Sequence, residues 1–134
     1  MIKNILIIYL IVMSAIVQAE VIEIGNKELA SLISKKVPII DIRRKEEWQK
    51  TGVLIGSNLI TFFDKNGESN VKKWLKELEI IASKDQPFIL ICRTGRRTGI
   101  VAKFLSQKLG YEKVYDVKDG ITEWINKGNY IINP

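Results

Sequence analysis

Apolar runs too short for helices punctuate this chain, and between them apolar residues recur three and four positions apart. Residues 21–24, 37–42, 57–61, 87–91 and 113–117 read as strands. Helical spacing follows each of them. Asn26 caps a helix running to about residue 33, and a short helix covers 45–50. Val71, Trp74, Leu75 and Leu78 share one helical face. Ile100, Val101, Phe104, Leu105 and Leu109 share another, with Gly110 as its stop. A last helix covers 121–126. The fourth run, Pro87 to Ile91, is continuously apolar rather than alternating, which is the mark of a strand buried on both faces. Strands alternating with helices predict an α/β domain: a mainly parallel five-stranded sheet with helices on both faces. No repeat, linker or low-complexity stretch divides it.

The N-terminus follows a different pattern. Lys3 is the only charge before Glu20, and Asn4 to Ala19 is uncharged and rich in isoleucine, leucine and valine. Val17 and Ala19 supply small residues at the −3 and −1 positions of a cleavage site, so residues 1–19 have the layout of a secretory signal peptide. A helix over this stretch would span only ~24 Å against a hydrocarbon core of ~30 Å. The expectation is therefore a cleaved leader, with membrane contact only if it stays uncleaved, and a domain over 20–134 exported to a bacterial periplasm. Removing Lys3 lowers the net charge from +6 to +5. The basic pairs Lys35-Lys36, Lys72-Lys73 and Arg96-Arg97 are scattered and lack interleaved aromatics, which argues against a nucleic-acid partner.

The chemistry concentrates where the fourth apolar run ends. Ile89-Leu90-Ile91-Cys92-Arg93-Thr94-Gly95-Arg96-Arg97-Thr98-Gly99 delivers the only cysteine to a strand end, then to a basic turn and a helix starting near Thr98. In open α/β sheets ligands bind outside the carboxyl ends of the strands. Thiolate is the reactive form of cysteine. Loop amides, the helix dipole and the charges of Arg93, Arg96 and Arg97 all favour it, and Gly95 allows the backbone to turn inward. The chain contains no histidine, so neither a Cys–His dyad nor a histidine metal site is available. One cysteine makes no internal disulfide and no CxxC pair.

Cys92-Arg93-Thr94-Gly95-Arg96-Arg97-Thr98 resembles the active-site loop of single-domain rhodaneses, C-R-[ST]-G-x-R-[ST]. Pro38-Ile39-Ile40-Asp41-Ile42-Arg43 is similar to the family's strand ending in D-[VI]-R, and Glu47, Trp48 and Gly52 to its E-[FWY]…G-H segment, with Val53 in place of histidine. Leu54 to Ile60 resembles I-P-G-A-x-N-I, with Ile55 for proline. Asp119-Gly120-Ile121-Thr122-Glu123-Trp124 resembles the G-G-[IF]-x-x-W turn, with Asp119 for the first glycine. The resemblance implies a rhodanese-like fold and sulfur transfer through a Cys92 persulfide. The implied donor is thiosulfate or a similar small anion, and the acceptor is a thiol or cyanide. It implies no cofactor and no metal. Arg93, Thr94, Gly95, Arg96, Arg97 and Thr98 would bind the substrate, with Arg93 and Arg97 facing the anion. Asp41 and Arg43 would stand behind the loop, more as a structural ion pair than in direct chemistry.

Three other readings compete. A polysulfide or persulfide carrier would use the same loop to deliver sulfur to a protein partner. A cysteine phosphatase needs C-x₅-R, but Arg97 falls one position early, at C-x₄-R. A binding module without turnover would have no need of the cysteine among arginines.

Overall fold

Every side chain of the strand Phe88–Ile91 is buried, as an uninterrupted apolar run requires of a strand flanked on both edges and covered on both faces. The computed structural model describes residues 10–13 and 18–134. It contains strands β1 (Glu20–Ile24), β2 (Ile39–Asp41), β3 (Ser57–Leu59), β4 (Phe88–Ile91) and β5 (Lys113–Val117). They form one sheet in the order β1-β5-β4-β2-β3, every pair parallel. The helices are α1 (Asn26–Ser34), α2 (Lys45–Thr51), α3 (Val71–Ile81), α4 (Arg96–Lys103) and α5 (Gly120–Asn126).

Alternation along the strands divides the core in two. Ile40 and Leu90 join Trp74 and Leu78 of α3 and Val101 of α4 on one face. Ile39, Ile89 and Ile91 join Leu29 of α1 and Ile121 and Trp124 of α5 on the other. Each such side chain contributes about 1.5–3 kcal/mol of transfer free energy. The parallel five-stranded sheet and the helices on both faces agree with the sequence pattern.

The differences are local. Gly25, not Asn26, caps α1, and the Glu28 carboxylate accepts its backbone N–H at 3.2 Å. The helix after the cysteine starts at Arg96, two residues before the expected Thr98, because Gly95 is already the left-handed turn that launches it. That helix then widens into a π-helical turn, Phe104–Lys108, before Gly110 at φ 74° ends it. Residues 1–9 and 14–17 of the expected leader lie outside the described residues. No helix among the described residues is long and apolar enough to cross a membrane.

Candidate active site

β4 ends one residue before Cys92, and the turn from Cys92 to Gly95 carries the chain into α4. The thiol is buried, with Cys92 1% exposed. Its Sγ accepts the backbone N–H of Gly95 at 3.2 Å and lies 3.4 Å from Thr98 Oγ1. Positive φ at Gly95 (95°) makes this inward turn possible, and close packing demands glycine as well. A Cβ at Gly95 would run into the carbonyl oxygen of Lys118, and one at Gly120 (φ 65°) into that of Arg93. The first backbone N–H groups of α5 complete the junction, with Ile121 donating to the Cys92 carbonyl at 2.9 Å and Thr122 to that of Arg93 at 3.1 Å. The orphan donors of one helix thus hold the loop that leads into another. The loop's carbonyls are drawn toward α5, and the positive end of α4 begins at its far side.

A cleft of about 650 Å³ opens over the loop, lined by Arg93, Thr94, Arg96 and Arg97 together with residues of α2 and the 63–67 segment. Arg93 and Arg96 form no ion pair among the described residues. Arg97, expected to contact the anion, lines the cleft and is also paired: its two terminal nitrogens donate to the Glu47 carboxylate at 2.8 and 2.6 Å. Glu47 also accepts the Arg44 backbone N–H at 3.0 Å, which closes the start of α2. Burial pushes the Glu47 carboxyl up, but the Arg97 hydrogen bonds, the Arg44 amide and the charges of Arg97 and Arg43 outweigh it and hold it down to about 2. The Glu47 hydrogen bond in turn raises Arg97 above its ordinary value, against the opposing effect of burial. From its C-x₄-R position Arg97 ties α4 to α2.

Asp41 and Arg43 form a wholly buried ion pair at 2.8 Å. Arg43 spends its remaining donors on the end of α2, reaching Thr51 Oγ1 at 2.8 Å and the Gly52 carbonyl at 3.0 Å. Such a pair is held by the saturation of its hydrogen bonds rather than by charge alone. It braces the wall of the cleft.

Two side chains belong to this site that the cysteine-loop motif does not contain. Glu47 is one; its position at the first turn of α2 reads locally as a helix-start residue, and its second role depends on a contact fifty positions away. Asp116 is the other. It pairs in register with Leu90 and lies on the same face of β5 as Val114, beneath the start of α4. Its carboxylate is buried, and Oδ1 has no partner among the described residues. Burial raises its carboxyl above the ordinary value, a hydrogen bond from Thr98 opposes this, and the Glu23 charge adds to the rise. A carboxylate at the core-facing position of Val114-Tyr115-Asp116-Val117 was the available signal. The Thr98 hydroxyl thus stands between the Cys92 sulfur at 3.4 Å and the Gly95 carbonyl at 3.3 Å, with the Asp116 carboxylate nearby. Among the described residues no group of three histidine, cysteine or acidic side chains is placed to hold a metal ion.

A buried thiol on a tight loop at the end of a central parallel strand defines a class of domain, and comparison with known proteins identifies it. The family model for the rhodanese-like domain matches residues 25–127, so the chain belongs to the rhodanese-like domain family. A rhodanese domain-containing protein of Drosophila melanogaster is 32% identical over 94 residues, covering 68% of this chain and 84% of its own. A rhodanese-related protein of Thermoplasma volcanium superposes with a TM-score of 0.65 at 26% identity, covering 84% of this chain and 99% of its own. The polysulfide-sulfur transferase of Wolinella succinogenes shares the fold, with a TM-score of 0.65 at 17% identity over 85% of this chain and 80% of its own.

Proposed function

We propose that this protein is a sulfurtransferase that carries sulfane sulfur on Cys92. The observation that supports it most is the thiol itself: the chain's single sulfhydryl, held by the Gly95 N–H at 3.2 Å under a loop whose Arg93 and Arg96 line a basic cleft. The Cys92 thiolate attacks the outer sulfur of thiosulfate or a similar donor. The bond between that sulfur and the sulfonate breaks, and its electron pair leaves with sulfite. Arg93 and Arg96 steady the departing anion, and the loop holds the persulfide. A thiol or cyanide then takes the outer sulfur, and Sγ recovers its electron pair.

A polysulfide can load the same sulfur, so delivery to a protein partner uses the same intermediate. Phosphate-ester cleavage fits less well, because Arg97 falls one position short of C-x₅-R and is bound to Glu47. The leader-like residues 1–19 support export to a bacterial periplasm, tested by locating the protein in cell fractions and reading its mature N-terminus.

The deciding experiment is the intact mass of the purified protein after incubation with thiosulfate, beside a Cys92→Ser control. The wild type gains one sulfur atom and the control gains none, and cyanide strips the sulfur as thiocyanate. No gain from either thiosulfate or polysulfide overturns the reading.

A further inference from the structure

The cleft over the cysteine loop is far larger than a small inorganic anion needs. At about 650 Å³ it lies in the range that encloses an organic ligand. Its charge is equally in excess. Of the two acids on its walls, Glu47 is committed to Arg97, and Asp64 accepts the backbone N–H groups of Asn66 and Glu68 at 2.8 and 3.0 Å, closing its own turn. Lys50, Lys65, Arg93 and Arg96 form no ion pair among the described residues, and Arg44 only a long one to Glu47 at 3.9 Å.

These cations fall into two sets. Arg93 and Arg96 belong to the cysteine loop and the start of α4, where the sulfonate of a donor departs. Arg44 and Lys50 belong to the start and last turn of α2, and Lys65 to the 63–67 segment that lines the same cleft. Phe63 and the half-exposed Ile100 add apolar surface to the same cleft. The loop's own chemistry leaves the second set without a task.

We propose that the second set receives the sulfur acceptor, and that this acceptor is an organic thiol carrying two or more carboxylates. Its carboxylates meet Arg44, Lys50 and Lys65, its carbon skeleton lies along Phe63 and Ile100, and its sulfur reaches the loop. The proposal rests on the sulfur-transfer reading. In the step itself the acceptor, already deprotonated by solvent, attacks the outer sulfur of the Cys92 persulfide. The bond from that sulfur to Sγ breaks, and its electron pair returns to Sγ. The acceptor departs as a persulfide and Cys92 is left as thiolate.

The test measures discharge of sulfur from the loaded protein to 2-mercaptoethanol, mercaptoacetate and mercaptosuccinate, with each rate expressed per thiolate. The rate is expected to rise with the number of carboxylates, by about tenfold from the neutral thiol to the dicarboxylate, and to level out at high salt. In a Lys50→Ala/Lys65→Ala variant, and in Arg44→Ala, the ratio between dicarboxylate and neutral thiol falls. Equal rates across the series, or a ratio that ignores these substitutions, overturn the proposal. Failure of the sulfur reading shows separately, as no sulfur loaded from any donor. In that case protection of the Cys92 thiol from iodoacetamide by succinate still reports the carboxylate site, and absence of protection overturns it.

Discussion

Arg97 and Glu47 grip each other through two hydrogen bonds, 2.8 and 2.6 Å, across fifty positions of sequence. The grip joins the helix that follows the cysteine to the helix that forms the opposite wall of the cleft. Glu47→Gln keeps the shape but removes the charge, leaving a partly buried guanidinium without its counterion. It is expected to lower stability by about 1–3 kcal/mol, read from urea unfolding. It also frees Arg97 to swing, so thiosulfate loading in a single turnover slows. An unchanged unfolding midpoint contradicts the bracing role.

The same pair sets an acid limit. Glu47 ionises at about 2 in the folded chain against an ordinary 4.5. Between those values the unfolded chain binds more protons than the folded one, so stability rises with pH through this window. The contribution is complete above the ordinary value and is lost as the pH falls toward 2. Unfolding midpoints followed through this range should drop steeply for wild type and less steeply for Glu47→Gln. Parallel curves would place the acid sensitivity elsewhere.

Asp116 works in the opposite direction. Burial raises its carboxyl, so the folded chain holds its proton more firmly than the unfolded one, and stability is lost as the pH rises through the shifted value. Asp116→Asn is therefore expected to raise the melting temperature at neutral pH by a few degrees. It also removes a buried negative charge from the neighbourhood of Thr98 and the sulfur. Alkylation of Cys92 by iodoacetamide at neutral pH should quicken, and a slower rate would refute this.

Gly95 and Gly120 allow no side chain. Gly95→Ala forces a residue at φ 95° against the Lys118 carbonyl, and Gly120→Ala drives one into the backbone of Arg93 and Thr94. Each is expected to cost more than about 1–2 kcal/mol and to expose the thiol by displacing the loop. Reaction of Cys92 with a bulky thiol reagent in the folded protein measures the exposure. A variant with unchanged accessibility and stability would mean that the junction gives way elsewhere.

The periodic apolar runs made the order of strands and helices readable, since burial on both faces leaves β4 no other composition. The cysteine loop was readable because its residues are contiguous. Arg97 was not, since its direction depends on Glu47, and no local pattern couples two positions so far apart. Asp116 was visible as an acid among core-facing valines, but its meaning required knowing that α4 begins above it. The π-helical turn at Phe104–Lys108 left no trace, because the apolar residues there fit ordinary helical spacing as well.

The interlock of Gly95 with Lys118 and of Gly120 with Arg93 binds two distant stretches of the gene into one unit of change. A side chain at either glycine meets the backbone of the other stretch, so a change in the course of one stretch acts directly on the other. Substitutions that add a side chain at one place are expected to need an answering change at the other. A library that varies residues 118–120 together with Gly95 is therefore expected to keep more folded chains than one that varies Gly95 alone.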